Sequence, residues 1–172
     1  MIKSWLLVLC LFVTSAVSAE EYISQKDFLN QVYQGNPPAS SAFWLKPEHK
    51  KVAQEIFGHD YRGLRIRYWA QDEKISWILE EIGKEKPIRF GVVVSAEKIA
   101  QLSVLAFNES RGWEIRHDFF TRQFPGLSLD DKHQLNAHVD GITGATLSVR
   151  ASTAVARWAL YLSEQVQAGS DL

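Results

Sequence analysis

The feature that most constrains the fold is a series of four strand-like segments between residues 64 and 107. Segment 64–70 alternates apolar and polar side chains, which is typical of a β-strand with one buried face. Its Leu64, Ile66 and Tyr68 are predicted to face the core. Apolar segments of similar length follow after short turns, at 74–83, 88–95 and 98–107. Because short turns join antiparallel neighbours, the sequence predicts an antiparallel sheet.

Helical periodicity precedes this predicted sheet. At 24–33, apolar residues recur at helical spacing behind Ser24, which is a suitable N-cap. A second helix is predicted from Pro47 to Phe57, with Gly58 as its stop. Both helices are expected to flank the sheet at its ends.

The longest helical pattern runs from Thr146 to about Gln167. One of its faces carries small residues, and the neighbouring face carries bulky apolar ones. Between the sheet and this helix, residues 119–126 predict a short helix or turn, and residues 127–140 predict a loop with one strand. Strands flanked in this way by helices indicate a single domain of the α+β class.

The first 19 residues have the composition of a secretory signal peptide. Lys3 precedes an apolar run at 5–13, and small residues lead to a cleavage point after Ala19. The alternative is an uncleaved anchor, although the run is shorter than the roughly 20 apolar residues of a spanning helix. Cys10 follows Leu9, whereas a lipoprotein cysteine would follow a small residue. We therefore expect a periplasmic protein without disulfides, exported by residues 1–19.

The exported part would have roughly 150 residues, enough for one hydrophobic core. We assign 20–87 to the N-terminal helices and first strands, and 88–172 to the core that carries the motif described below. Removing Lys3 from 19 basic residues, against 20 acidic ones, leaves a formal charge of about −2. Because no basic stripe or block of like charge stands out, binding to nucleic acid and attachment to acidic membranes are disfavoured.

A dense run of small residues, DGITGAT, stands before the longest helix at 140–146. Glycines let the backbone approach a ligand closely, and a helix N-terminus offers unpaired N–H groups and positive charge to an anion. Thr143 is predicted to cap the helix, which places Thr146 in the first turn. A plain capped turn is the structural alternative, since Thr143 and Gly144 suit one as well.

The same run, followed by LSVRASTAVARWAL, resembles the flavinylation motif of the FMN-binding domain family. This family includes subunits of the sodium-pumping NADH:quinone reductase and of Rnf-type complexes, and exported single-domain electron carriers. The resemblance implies that Thr146 forms a phosphoester with FMN. It also implies a flavin transferase that takes the FMN from FAD with Mg²⁺ and releases AMP. The cofactor-binding residues implied by the motif are Asp140, Gly141, Thr143, Gly144, Ala145, Thr146 and Leu147.

A second match lies upstream in VLAFNESRGWEI. Where family members have Glu-Thr-Pro-Gly, this chain has Glu109, Ser110, Arg111 and Gly112. The resemblance implies that Glu109 and Ser110 also bind the cofactor, in a loop altered by Ser for Thr and Arg for Pro. The segment FTRQFPG is similar to the stretch between the two family motifs. The resemblance covers the chain from Ile88 onward.

These features predict an exported electron carrier that exchanges electrons with a membrane-bound redox partner or a cytochrome. An alternative is a non-catalytic FMN-binding sensor or regulatory module of a membrane complex. A substrate-converting flavoenzyme is a third class, but the sequence has no Gly-x-Gly-x-x-Gly dinucleotide motif and no Gly-x-Ser-x-Gly elbow. Apart from His138 and Asp140, the histidines show no metal-ligand spacing, so no metal site is predicted.

Two further features each have a functional and a structural interpretation. Trp113, next to the second motif, would cover one face of the flavin; burial in the core is the alternative. Arg65, Arg67 and Arg89 would form a positive strip across neighbouring strands and dock an acidic redox partner. The alternative for these arginines is a solvated sheet face.

Overall fold

Residues that favour turns lie close to the ends of most helices and strands. The structure is a computed structural model, and it describes residues 20–170 of the chain. A 3₁₀ helix at Trp113–Arg116 follows the last strand. In chain order, the strands and α-helices of the described residues are β1 (Glu20–Glu21), α1 (Gln25–Val32), β2 (Ser40–Trp44), α2 (Pro47–Phe57), β3 (Arg65–Gln71), β4 (Lys74–Ile82), β5 (Pro87–Ser95), β6 (Lys98–Phe107), α3 (Asp118–Thr121) and α4 (Thr146–Ser170).

One antiparallel sheet contains these strands in the spatial order β1-β6-β5-β4-β3-β2. The α+β class is confirmed, and β3 to β6 lie where the sequence predicts them. The sequence pattern does not predict β2. This strand lies at the edge of the sheet and is exposed along nearly its whole length. An edge strand buries little apolar surface, so its sequence carries little of the alternation by which strands are recognised.

The strand predicted within residues 127–140 is wrong. This segment forms a loop with a single bridge between Leu129 and Leu135. Asp130 accounts for the difference, because its Oδ1 atom accepts two backbone N–H groups, one of them from Gln134 at 2.8 Å. An aspartate that binds nearby backbone groups competes with a strand ladder for the same donors.

Helix α4 lies across one face of the sheet and closes the main hydrophobic core. The small-residue face predicted for it is buried. Its buried members, each 1% exposed or less, are Ser152, Ala156, Ala159 and Ser163. Small side chains let the helix approach the sheet closely, and the Trp77 indole N–H on β4 donates to Ser163 Oγ at 2.8 Å. Trp158 of α4 is also fully buried, and its ring centroid lies 6.1 Å from that of Phe57 on α2.

Helix α1 covers part of the opposite face of the sheet. Strand β3 therefore buries side chains on both faces, whereas its sequence pattern predicts one buried face. Phe28 of α1 packs over Gly91 of β5, where an added Cβ would lie 2.6 Å from the ring atom Cζ. Trp69 is only 7% exposed in the cluster around α1, whereas Leu64, expected to face the core, is 68% exposed. The Tyr33 hydroxyl, at the end of α1, donates to the Trp69 carbonyl oxygen at 2.7 Å.

The sheet opens between β3 and β4. Their ladder ends at the pair Tyr68 and Trp77, although β3 extends back to Arg65 and β4 continues to Ile82. The separated ends border a cleft of about 1220 Å³, which we call the β3–β4 cleft. Successive residues of a strand point to opposite faces, so the side chains that line the cleft come from both faces of the sheet.

The predicted signal peptide, 1–19, lies outside the described residues. Among residues 20–170, none of the helices is both long and apolar enough to span a membrane. Helix α4 is 25 residues long, and much of its length is buried in the core of the domain.

Candidate functional site

The small-residue run ends where α4 begins, and Thr146 is the first residue of the helix. The predicted cap at Thr143 is wrong, because the Val149 N–H donates to the Ala145 carbonyl and Ala145 therefore occupies the cap position. Thr143 instead forms a turn with Gly144, whose φ of +84° lies in the left-handed region. Alanine has no side-chain oxygen, so it cannot satisfy the N–H groups that a first helical turn leaves without intrahelical partners.

The residue that the resemblance assigns to cofactor attachment is accessible from solvent. The side chains of Thr146, Asp140 and Thr143 are exposed. An added Cβ at Gly141 or Gly144 would meet no heavy atom within 4 Å, so open space surrounds the loop. The helix start is nevertheless anchored, because Ala145 is only 3% exposed. A second protein can therefore reach this hydroxyl without displacing the core.

Gln123 holds the start of the motif loop in place. Its side-chain Oε1 accepts the Asp140 N–H at 2.7 Å. The Asp140 carboxylate itself points into solvent, and its Oδ1 lies 4.0 Å from His138 Nε2. No cluster of three or more metal-ligating side chains is found within the described range, 20–170. Gln123 belongs to the FTRQFPG segment, but nothing in that sequence pattern identifies this contact.

The two sequence motifs meet at Gly112. This residue has a φ of +89° and lies against the first turn of α4. An added Cβ would overlap Ser148 Oγ and would come within 3.5 Å of the Ala145 Cβ. Only glycine suits both the backbone conformation and the short distance to the helix. Ser110 and Arg111 precede it on the surface, and both are exposed.

Glu109 binds the turn between β4 and β5. Its Oε1 atom accepts the backbone N–H groups of Lys84, Glu85 and Lys86 at 2.5, 2.6 and 2.8 Å. Burial opposes ionisation, but the three donors together lower the pKa of the Glu109 carboxyl. Glu109 therefore has a structural role in this turn, and its predicted contact with the cofactor stays a prediction.

We expect the Glu109→Gln protein to be less stable than the wild type at neutral pH, by about 1 kcal/mol, because charge-assisted hydrogen bonds are the stronger ones. Since the folded-state pKa is lowered, this stabilisation is present above the ordinary glutamate value of 4.5 and is lost as the pH falls through the folded value. Urea titrations across the acid range measure both effects. If the free energy of unfolding fell equally in both proteins as the pH decreased, the assignment would be contradicted.

Aromatic side chains form an exposed surface beside the Gly112 loop. Trp113 is 43% exposed and Phe119 is 53% exposed. His117 lies between them, with its ring centroid 5.2 Å from Trp113 and 6.2 Å from Phe119. The Arg116 guanidinium lies 5.0 Å from the Trp113 ring. This aromatic surface offers faces on which a planar ligand can stack.

Two buried acceptor atoms flank the same loop. In the part of the chain that the structure describes, Asn108 Oδ1 and Glu114 Oε2 are buried and have no hydrogen-bond partner. A buried polar atom without a partner costs free energy, so a ligand that supplies a donor would be stabilised here. Sequence reasoning did not identify either residue, because both depend on how the loop folds.

The β3–β4 cleft reaches the motif helix through Arg150. This residue lines the cleft and lies one helical turn after Thr146. Deeper in the cleft, His59 Nε2 is 3.0 Å from Glu81 Oε1, and Glu81 is only 6% exposed. The hydrogen bond to Glu81 raises the pKa of His59. The pair joins residues far apart in the chain, so the sequence carries no signal for it.

Comparison with known protein families agrees with the geometry of the site. Residues 83–161 match the family profile of the FMN-binding domain. The matched segment starts beside the turn that Glu109 binds, and it includes the Gly112 loop and the start of α4. No curated protein matches the chain. The chain is therefore similar to the FMN-binding domain family over residues 83–161, and this match supports a flavin-binding protein with FMN as its cofactor.

Proposed function

We propose that the protein is an exported electron-transfer flavoprotein with FMN joined by a phosphoester bond to Thr146. The observation that carries the proposal is the position of Thr146, an exposed hydroxyl in the first turn of a long helix within an FMN-binding domain. The protein exchanges electrons with a membrane-bound redox partner or a cytochrome on the periplasmic side of the inner membrane. Export by the segment 1–19 is part of this proposal.

Attachment requires a nucleophile that a flavin transferase can reach. The Thr146 hydroxyl oxygen forms a bond to the phosphorus of the FMN half of FAD. The bond from that phosphorus to the bridging oxygen breaks, and AMP leaves with that oxygen. The hydroxyl proton passes to a base of the transferase and then to solvent, while Mg²⁺ in the transferase offsets the phosphate charge. Open space around Gly141 and Gly144 favours this approach.

The residues present fit a tethered flavin phosphate. A phosphodiester keeps one negative charge, which the N-terminus of α4 stabilises by about 0.3–1 kcal/mol at an exposed position. Arg150 leans toward Thr146, because helical side chains tilt toward the helix N-terminus. Asn108 and Glu114 offer buried acceptors beside the loop, and a flavin ring has an N–H donor at N3. The flavin supplies the redox chemistry when bound, and the protein supplies the tether and the surroundings.

Trp113 is the side chain that we expect to cover the flavin ring. Replacing it with alanine should raise the flavin fluorescence severalfold, because a stacked indole quenches flavin emission, and should shift the midpoint potential. Phe119→Ala is the matched control, since Phe119 is at least as exposed but lies farther along the aromatic surface. Unchanged fluorescence and potential in Trp113→Ala would show that the contact does not exist.

The test of the function is to produce the full chain with and without an exported flavin transferase. Intact mass and fluorescence on a denaturing gel then report covalent FMN. A gain of one FMN less one water, only with the transferase, supports the proposal; unmodified protein beside an active transferase overturns it. Reversible reduction of the bound flavin supports the carrier, whereas a flavin that cannot be reduced reversibly favours a sensor module.

A further inference from the structure

The β3–β4 cleft interrupts an otherwise continuous sheet. On its outer sides, β2 pairs with β3 from Arg65 onward, and β4 pairs with β5 as far as Ile82. Both edges of the cleft are therefore held by neighbouring strands. Between these edges, segments 65–67 and 78–82 lie outside the β3–β4 ladder. Strand edges outside a ladder present N–H and C=O groups that an incoming extended chain can pair with.

The cleft is more basic than the molecule around it. The chain has a formal net charge of −1, yet six basic and only three acidic side chains line the cleft. The basic ones are Arg62, Arg65, Arg67, Lys84, Arg89 and Arg150. Three of them, Arg65, Arg67 and Arg89, are the residues of the positive strip that the sequence predicts, and the fold adds the other three to it.

Two of the three acidic side chains already have a partner within the cleft. Glu80 Oε1 accepts the Arg89 Nε–H at 2.8 Å, and Glu81 binds His59 as described. Within residues 20–170, no salt bridge involves Arg62, Arg67 or Arg150, and all three are exposed. These three arginines therefore give the cleft an uncompensated positive charge.

Apolar side chains line the inner part of the cleft between these charges. Ile66 and Leu79 are buried on the α4 face of the sheet, and Trp69 lies on the α1 face. An added strand would direct alternate side chains to the two faces. The arginines of the cleft complement acidic side chains, and its apolar inner lining complements small or apolar ones. A segment in which these two kinds of residue alternate would therefore suit the cleft.

We infer that the β3–β4 cleft is a docking site for an extended, acidic segment of a partner protein. The segment adds as a strand along the open edge of β3 or β4, with its carboxylates toward Arg65 and Arg67 on the α1 face and its small or apolar side chains toward Ile66 and Leu79 on the α4 face. Because Arg150 lies one turn from Thr146, a partner docked here sits beside the residue proposed to carry FMN. The inference extends beyond the proposed function and does not depend on it, since protein without FMN has the same cleft.

The test uses the purified protein, with and without attached FMN, and a synthetic seven-residue peptide in which glutamate alternates with threonine or valine. We expect binding that shifts the backbone amide NMR signals of 65–67 and 78–82 and weakens as salt is added. Arg67→Glu should weaken binding by about fivefold or more. Lys51→Glu makes the same change of charge at an exposed position of α2 that does not line the cleft. This control should leave binding unchanged.

Several outcomes would overturn the inference. These are amide shifts outside the two cleft segments, equal weakening by Arg67→Glu and Lys51→Glu, or equal binding of a peptide with lysine in place of glutamate. Binding of phosphatidylglycerol vesicles, but not the peptide, in an Arg67-dependent way would assign the arginines to a membrane surface instead. Arg67→Gln serves as a milder variant if thermal unfolding shows that the charge reversal disturbs the fold.

Discussion

The Thr146→Ala protein is expected to carry no covalent FMN, even when it is produced with an active flavin transferase, FAD and Mg²⁺. The proposed phosphoester requires the threonine hydroxyl, so the loss should be complete. The fold should persist, because the Thr146 side chain is exposed and alanine favours a helix more than threonine does. Intact mass measures the attachment, and far-ultraviolet circular dichroism with thermal unfolding measures the fold.

Two threonine variants make this result specific. Thr146→Ser keeps a hydroxyl at the same position, so it should retain attachment. Thr153→Ala removes a half-buried threonine farther along α4 and should leave attachment unchanged. Covalent FMN on the Thr146→Ala protein would refute the assignment, and Thr143, the other exposed threonine of the motif, would be the next residue to replace.

The second large effect is expected for Gly112→Ala, which should destabilise the protein by about 3 kcal/mol. The added methyl group must adopt a φ of +89° and must also displace Ser148 Oγ at the first turn of α4. Since the same displacement disturbs the turn that begins with Thr146, attachment of FMN should slow as well. Urea unfolding and the time course of the mass gain measure the two effects.

Gly126→Ala is a matched control for the backbone part of this effect. Gly126 has the same φ of +89°, but an added Cβ would meet nothing within 4 Å. Its loss of stability should stay at about 1–2 kcal/mol, the cost of the left-handed conformation alone. Equal losses in the two variants would mean that Ser148 moves aside at no cost, and that Gly112 does not fix the distance between loop and helix.

Local sequence signals were sufficient for most of the secondary structure. Ser24 accepts the Asp27 N–H at the start of α1, and Gly58 ends α2 in the left-handed conformation, as their sequence positions predict. The four central strands also follow their hydrophobic pattern. In each of these cases the information lies within a few residues, and the short-range physics of caps and periodicity is enough.

The features that escaped prediction depend on contacts between distant residues. Glu109 was recognised through its motif, but its bonds to the turn after β4 involve residues more than twenty positions away. The same holds for the Gln123 contact to the motif loop and for the His59 bond to Glu81. The alternating pattern of β3 likewise does not show that α1 folds over Trp69. Such contacts require the three-dimensional path of the chain.

The helix that begins with Thr146 is also the last major element of the core to be synthesised. All the described strands precede it, and its Trp77–Ser163 bond links residues 86 positions apart. Bringing such distant residues together costs conformational entropy, so contacts of this kind slow folding. The Gly112 loop meets the first turn of α4 only after the helix has docked on the sheet. A transferase that recognises this turn would therefore modify only folded chains. Covalent flavin would then be found only on correctly folded protein.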